Sequence, residues 1–303
     1  MTIPEKKNLA ASVRQRLLIF SQKKKVPFDL ILTRYGIERL LYRLSRSIYA
    51  DRFLLKGAML FHVWTDFSYR PTRDVDLLGF GRAETTDLKD IFRAVCSLSV
   101  EPDGVIFLVD TIKAETIREE ATYGGIRISL EAHLENARIW IQCDIGFGDA
   151  VTPGPEAITF PTLLDFPSPH LRSYPIHTVV AEKLEALVLL GETNSRMKDF
   201  YDLWFLSQKF EFAGKTLVDA IHATFSKRKT SVAETTPIAL TDNFAMAKSV
   251  QWNAFLLRNK LAALDMVRVI RNIRQFIEPP LLQISGTFLK HWKVESGWYG
   301  KDE

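Results

Sequence analysis

The chain has 303 residues, 47% of them hydrophobic and 25% charged, which is the composition of an ordinary globular protein with material for two domains. Two cysteines, Cys96 and Cys143, both in apolar surroundings, exclude a disulfide framework and a zinc site and read as inert core thiols in a reducing compartment. No apolar run approaches the ~20 residues of a membrane helix and the N-terminus lacks a signal-peptide core, so the expected location is the cytoplasm, away from any membrane.

Residues 8 to about 50 read as two or three helices. Val13, Leu17, Leu18 and Phe20 follow helical spacing until Pro27 breaks the run, and Ile37, Leu40, Leu41 and Leu44 form a second stripe with Arg39, Arg43 and Arg46 opposite. The net charge of +4 is unevenly spread: residues 1–50 hold eleven Lys or Arg against Glu5, Asp29 and Glu38, a local +8, and the remainder sums to −4. For the Lys23-Lys24-Lys25 run alone a solvated helical face is the simpler account. A basic region on a slightly acidic body also suits a polyanionic partner.

The most informative segment is Phe53 to Phe80. A short apolar lead reaches a small-residue turn at Lys56-Gly57-Ala58, an apolar helix follows, and then comes Arg70-Pro-Thr72-Arg-Asp74-Val-Asp76-Leu-Leu. In a strand, alternate side chains share a face, so Asp74 and Asp76 project together while Val75 and Leu77 face inward. Two neighbouring carboxylates repel unless a cation sits between them, and Asp is a hard oxygen ligand of the kind Mg²⁺ takes alongside water and phosphate. An isolated Asp-x-Asp is more often a solvated turn. Here the apolar flanks argue for a strand, and the preceding turn offers backbone N–H groups to phosphate.

Further on, Leu88 to Val95 reads as a helix. Ile126, Ile128, Leu130, Ala132 and Leu134 alternate with polar residues, and Glu135-Asn136-Ala137 turns this strand into a second, Arg138 to Ile145, making a hairpin. On the second strand Trp140, Gln142 and Asp144 lie on the face opposite Ile139, Ile141 and Cys143. Asp144 is therefore either a third acid beside Asp74 and Asp76 or a strand-end carboxylate facing water, and Asp149, after two glycines, is its competitor. Val151 to Pro175 carries six prolines and reads as a linker or extended wrap. Thr178 is placed to cap a helix that runs to Leu190 and stops at Gly191. Within it Lys183 lies among Val179, Val180, Leu184 and Leu187, where it either snorkels or contacts phosphate. Asp199 and Asp202 share one helical face, and Lys198 is spaced to pair with Asp202. A long amphipathic helix is expected over about Trp252 to Phe276, with Arg268, Arg271 and Arg274 as a basic stripe or a solvent face.

Three of these segments, in order, resemble one family. Lys56-Gly57-Ala58 with Arg70-x-Thr72-x-Asp74-Val-Asp76-Leu is similar to the first motif of the AbiEii/AbiGii-type nucleotidyltransferase toxins, within the DNA polymerase β-like superfamily. Val180-Ala-Glu182-Lys183-Leu resembles that family's Glu-Lys helix, and Lys198-Asp199-Phe-Tyr-Asp202-Leu its Lys-Asp-x-Tyr-Asp-Leu motif. Where the family usually has Gly or Ser this chain has Ala58, and Met59 stands where a hydroxyl residue is common, so phosphate at the turn falls to backbone N–H groups and Lys56.

The resemblance implies an α/β (α+β) nucleotidyltransferase core with a mixed sheet over residues 51–165, a basic helical region at 1–50 and a C-terminal helical domain at 166–303. It implies two Mg²⁺ ions on Asp74, Asp76 and Asp144, since this superfamily places a third acid on a neighbouring strand. It also implies a nucleoside triphosphate held by Lys56, Gly57, Ala58, Arg70, Thr72, Lys183 and Asp202, with Asp199 or a metal-site acid assisting deprotonation. The expected activity is that of a toxin from a toxin–antitoxin or phage-defence pair, transferring a nucleotide to RNA, with the 3′ end of tRNA as one acceptor, and answering to an antitoxin. A small-molecule or protein acceptor, and a non-catalytic nucleotide-binding module, are the alternatives.

Overall fold

The hairpin expected at Ile126–Ile145 lies inside a seven-stranded mixed sheet in the computed structural model, which describes residues 8–65, 70–118, 124–232, 235–282 and 290–300. The chain forms two units, residues 1–148 with 156–173, and residues 149–155 with 174–303.

In the first unit, helix α1 (Leu9–Lys24) starts at Asn8, whose side chain accepts the Ala11 N–H at 3.2 Å. Helix α2 (Phe28–Arg46) follows Pro27. Strand β1 (Phe53–Lys56) enters a 3₁₀ turn at Gly57–Leu60 and a single-turn helix, α3 (Phe61–Trp64). Then come β2 (Asp74–Gly79), α4 (Thr85–Cys96), β3 (Val105–Arg118), β4 (Gly124–Leu134), β5 (Ala137–Phe147), β6 (Glu156–Thr159) and β7 (His170–Ser173). The sheet runs β3-β4-β5-β2-β1-β7-β6, with β2–β5 and β1–β7 parallel and the rest antiparallel. The proline-rich stretch is thus not only a wrap. It contributes β6 and β7, and its prolines fall outside both strands, where no ladder N–H is missed.

Helix α2 departs from the two-faced helix expected of it, because every residue from Ile31 to Leu44 is buried. Three of its buried charges have protein partners. Arg43 forks onto Asp103 at 2.7 and 3.2 Å, Arg39 pairs with Glu38 at 2.8 Å and donates to the Pro167 carbonyl, and Glu38 accepts the Leu163 N–H at 2.7 Å. Burial pushes the Glu38 carboxyl up to about 7 against the pull of Arg39. Three of the basic residues counted in 1–50 (Arg34, Arg39 and Arg43) are therefore interior, whereas Lys23, Lys24 and Lys25 are exposed. A Cβ at Gly36 would meet Ile139 Cγ2 at 2.8 Å, so the missing side chain lets α2 lie close against β5.

The second unit holds α5 (Ile176–Leu190), α6 (Met197–Lys209), β8 (Phe212–Ala213), α7 (Gly214–Arg228), α8 (Asp242–Arg258), α9 (Met266–Leu282), β9 (His291–Lys293) and β10 (Gly297–Tyr299). The three strands form a small antiparallel sheet. Thr178 does not cap α5, which starts after Pro175; its hydroxyl instead joins Thr152, donating to the carbonyl and accepting the N–H, both at 2.9 Å. The single helix expected over Trp252–Phe276 is two, α8 and α9. The second begins where the Asp265 carboxylate accepts the Val267 N–H at 3.1 Å. In the arginine stripe, Arg271 and Arg274 pair with Asp242 at 2.6 and 3.7 Å. Among the described residues no helix is long and apolar enough to cross a membrane.

Candidate active site

Alternation along β2 buries Val75 and Leu77 and leaves Asp74 exposed and Asp76 half-buried. Strand pairing then decides their neighbours. Lys56 of β1 lies opposite Asp76, Asp144 of β5 lies opposite it on the other side, and Arg127 of β4 lies opposite Asp144. Opposed residues point to one face with Cβ atoms about 5 Å apart. Four strands thus carry a row of two acids with a cation at each end, Lys56, Asp76, Asp144, Arg127, with Asp74 two residues along β2 beside Gln142.

Arg127 holds Asp144 with a two-pronged fork, Nε to Oδ1 and Nη2 to Oδ2, both 2.8 Å. That hydrogen bonding keeps the guanidinium more basic than usual. At the other side, Gly57 has φ 69°, a left-handed conformation, and a Cβ there would lie 2.0 Å from Asp76 Oδ2. The Asp76 carboxylate therefore sits directly against the Gly57 turn, in space only glycine leaves open. Ala58 and Met59 are buried, and the helix after the turn is only one turn long. The turn thus brings little helix dipole to a phosphate. Lys56 and Arg70 are buried, and Thr72 is half-buried in the stretch entering β2.

Among the described residues no three His, Cys, Asp or Glu side chains converge into a protein cage for a metal. Mg²⁺ is usually held by one or two carboxylates and completed by water and substrate phosphates. Asp76 and Asp144, adjacent and on one face, match that donor set, and Asp74 offers a third carboxylate one step along the strand.

Asp149, the alternative third acid, belongs to the second unit. There Arg228 binds it at 3.0 Å and also binds Glu182 at 3.0 Å and Glu185 at 2.8 Å, while the Tyr174 hydroxyl donates to Asp149 and Glu182. Of the two, Asp144 is the one in the row with Asp76.

The second unit contains its own charged cluster. Lys183 of α5 neither snorkels to water nor stands apart; its ammonium contacts Asp199 at 2.9 Å and Asp202 at 2.7 Å, both on α6. Arg196 closes on the other Asp199 oxygen at 2.8 Å. Burial alone would raise the Asp199 carboxyl, but Lys183 and Arg196 outweigh it and hold it below the usual carboxylate range. Lys198, spaced to pair with Asp202, is exposed instead.

Two residues were not singled out from the sequence, Arg127 and Arg196. The signal for Arg127 was present: a two-residue turn at Glu135-Asn136 sets the hairpin register, and that register puts Arg127 opposite Asp144. Arg196 precedes Asp199 by three residues, the spacing that brings two helical side chains together.

The chain is similar to known nucleotidyltransferase toxins. Residues 39–278 match the family model described as the nucleotidyl transferase AbiEii toxin of a type IV toxin–antitoxin system. Among solved structures, MenT4, a nucleotidyltransferase toxin from Mycobacterium tuberculosis H37Rv, is 18% identical, with 90% of this chain and 97% of that one covered and a TM-score of 0.47. JHP933 from Helicobacter pylori is 15% identical, with coverage of 78% and 84% and a TM-score of 0.45. The comparison with curated proteins gives no match.

Proposed function

The chain belongs to the AbiEii family of nucleotidyltransferase toxins, and on that premise we propose that it transfers a nucleotide from a nucleoside triphosphate to a hydroxyl of RNA, using the acid row of β2 and β5. The observation that carries the proposal is Asp76 beside Asp144 on one face, with Asp76 seated against the Gly57 turn. In the reaction the acceptor oxygen bonds to the α-phosphorus, the bond from that phosphorus to the bridging oxygen breaks, and pyrophosphate leaves. The hydroxyl proton passes to an acid of the row; Asp74, exposed at the strand start, is the accessible one.

Asp76 and Asp144 would hold a divalent cation, and Asp74 would contribute a ligand to a second. Bound there, the cation offsets charge on the phosphates and favours ionisation of the acceptor hydroxyl. Lys56, buried next to Asp76, keeps positive charge beside the carboxylates. Arg127 fixes the orientation of the Asp144 carboxylate. Lys183 is assigned to the triphosphate, with Asp199 and Asp202 fixing its ammonium. Asp199 is a poor base, being fully buried, held by two cations and lowered in proton affinity. Exposed Lys23, Lys24 and Lys25 suit an RNA acceptor, the 3′ end of tRNA included, and family membership makes a cognate antitoxin the expected protein partner.

The test is incubation with Mg²⁺, total RNA and each α-labelled nucleoside triphosphate in turn, followed by separation of RNA, protein and small molecules. Label in RNA is expected. Label confined to protein or to small molecules would replace the acceptor class, and no label in any fraction would contradict nucleotidyl transfer itself.

A further inference from the structure

We infer that the cavity at the start of β2 is a subsite for an unpaired nucleotide of an RNA acceptor, with Trp140 as its stacking platform. The inference rests on the nucleotidyl transfer proposed for the acids of the same sheet, and it adds where the acceptor strand lies.

Strand β5 begins at Ala137, but β2 begins only at Asp74, opposite Gln142. Residues 138–141 therefore run past the end of β2, and the space beside them is closed by Asp29, Leu32 and Thr33 of α2 and by Arg73. The result is a cavity of about 360 Å³, walled also by Asp74, Ser129, Arg138, Trp140, Ile141 and Gln142. That volume is in the range of small-ligand sites. Asp74 forms part of its wall, so the cavity reaches the first acid of β2.

Trp140 is 63% exposed. Its strand neighbours Ile139 and Ile141 supply the core face, so the indole is not part of the core. It shares its face with Gln142 and Asp144, and the four steps from Trp140 to Asp144 span about 13 Å of strand. A single strand whose terminal hydroxyl reaches the acid row would pass Gln142 and bring an earlier base onto Trp140. The wall chemistry suits a nucleobase better than an apolar side chain. The indole shares its strand face with Gln142 and with Ser129 opposite it, both able to hydrogen-bond a base edge. Two guanidinium groups flank it. The Arg138 side chain is 74% exposed and touches Glu131 only at 3.5 Å, and Arg73 pairs with Asp29 at an exposed site. Each Arg has five N–H donors, so one carboxylate contact leaves others for phosphate.

The experiment measures binding of a fluorescein-labelled single-stranded RNA of six adenosines, and of a blunt RNA duplex, to wild type, Trp140→Ala, Trp140→Phe and Arg138→Gln across a salt series. Nucleoside-triphosphate and RNA KM values are measured in the transfer assay. Trp140→Ala should weaken single-strand binding about 5- to 150-fold, the range for one base stacked on an aromatic ring. Trp140→Phe should recover much of that loss. Arg138→Gln should flatten the salt dependence by about 0.7 in slope. Melting temperature, duplex binding and the triphosphate KM should not change. Unchanged single-strand binding by Trp140→Ala overturns the inference. So does an equal loss on duplex, or a loss that falls on the triphosphate KM and so assigns the cavity to the donor's base. If wild type labels RNA and Trp140→Ala has the same RNA KM, only this subsite fails. If wild type binds the hexamer through Trp140 but labels nothing, the subsite stands and the transfer reading fails.

Discussion

Replacing Lys183 with alanine separates a structural lysine on a wet surface from one locked between buried acids. A snorkelling lysine would cost little. Here the ammonium lies 2.9 Å from Asp199 and 2.7 Å from Asp202, and those two carboxylates are 2% and 0% exposed. Removing one partner of a buried ionic cluster typically costs about 3–5 kcal/mol, because the remaining charge stays desolvated. Arg196 still contacts Asp199, which places the expected loss toward the lower end. At about 2–4 °C per kcal/mol for a unit of this size, that is a fall in Tm of about 6–15 °C. The sign with pH follows from Asp199, whose depressed carboxyl contributes stability that is present above its ordinary value of 3.8 and is lost as pH falls through the folded value. The variant gives up that contribution, so its deficit should be full at pH 7.5 and narrow only once pH falls below 3.8. Urea unfolding of both proteins at pH 7.5, 5.5 and 3 measures it. A deficit under 1 kcal/mol at pH 7.5, or one that does not change with pH, would refute the buried-cluster argument.

Gly57→Ala should cost about 1–2 kcal/mol for the left-handed backbone alone, and the new Cβ, 2.0 Å from Asp76 Oδ2, must displace that carboxylate. Transfer should fall at least tenfold in a protein that still melts cooperatively, and near-normal transfer would mean that the position of Asp76 is not critical. Arg127→Ala leaves Asp144 beside Asp76 with one cation fewer, so the rise in Tm on adding Mg²⁺ should exceed that of wild type. An equal or smaller rise would show that the guanidinium does not compete for the carboxylate. Glu38, with its carboxyl raised to about 7 by burial, contributes stability that is full below 4.5 and lost as pH rises through 7. Glu38→Gln, which can still accept the Leu163 N–H, should therefore gain on wild type between pH 5 and 7.5, and a constant difference across that window would contradict the assignment.

How far the sequence foretold this depended on whether the deciding contact was local. Alternation alone put Asp74 with Asp76, and Trp140 with Gln142 and Asp144, because a strand has only two faces. It also found the hairpin of β4 and β5. The arrangement of the acids into a row needed the parallel pairing of β2 with β5, which joins strands some seventy residues apart, and no local pattern encodes that. The same holds for Lys183, which stood among apolar neighbours on α5 while its partners Asp199 and Asp202 sit on α6. Helix α2 misled for a different reason. Arg39 and Arg43 read as a wet face because charge usually means solvent, whereas Glu38 and Asp103 allow them to be buried. The break between α8 and α9 is made by local backbone, the turn at Lys260 with φ 54° that ends α8 and the Asp265 carboxylate that starts α9, neither of which apolar spacing marks.

The central claim is that the carboxylates of β2 and β5 carry out nucleotide transfer, and Asp76→Asn tests it most directly. Asparagine keeps the size of the side chain and its place against Gly57 while removing the charge next to Asp144. The measurement is the initial rate of label transfer from the preferred α-labelled nucleoside triphosphate to RNA, with Mg²⁺ saturating and with melting curves of both proteins alongside. A fall of about 100-fold or more in a variant that melts within a few degrees of wild type is the predicted result. Transfer by the folded variant at near the wild-type rate would contradict the account.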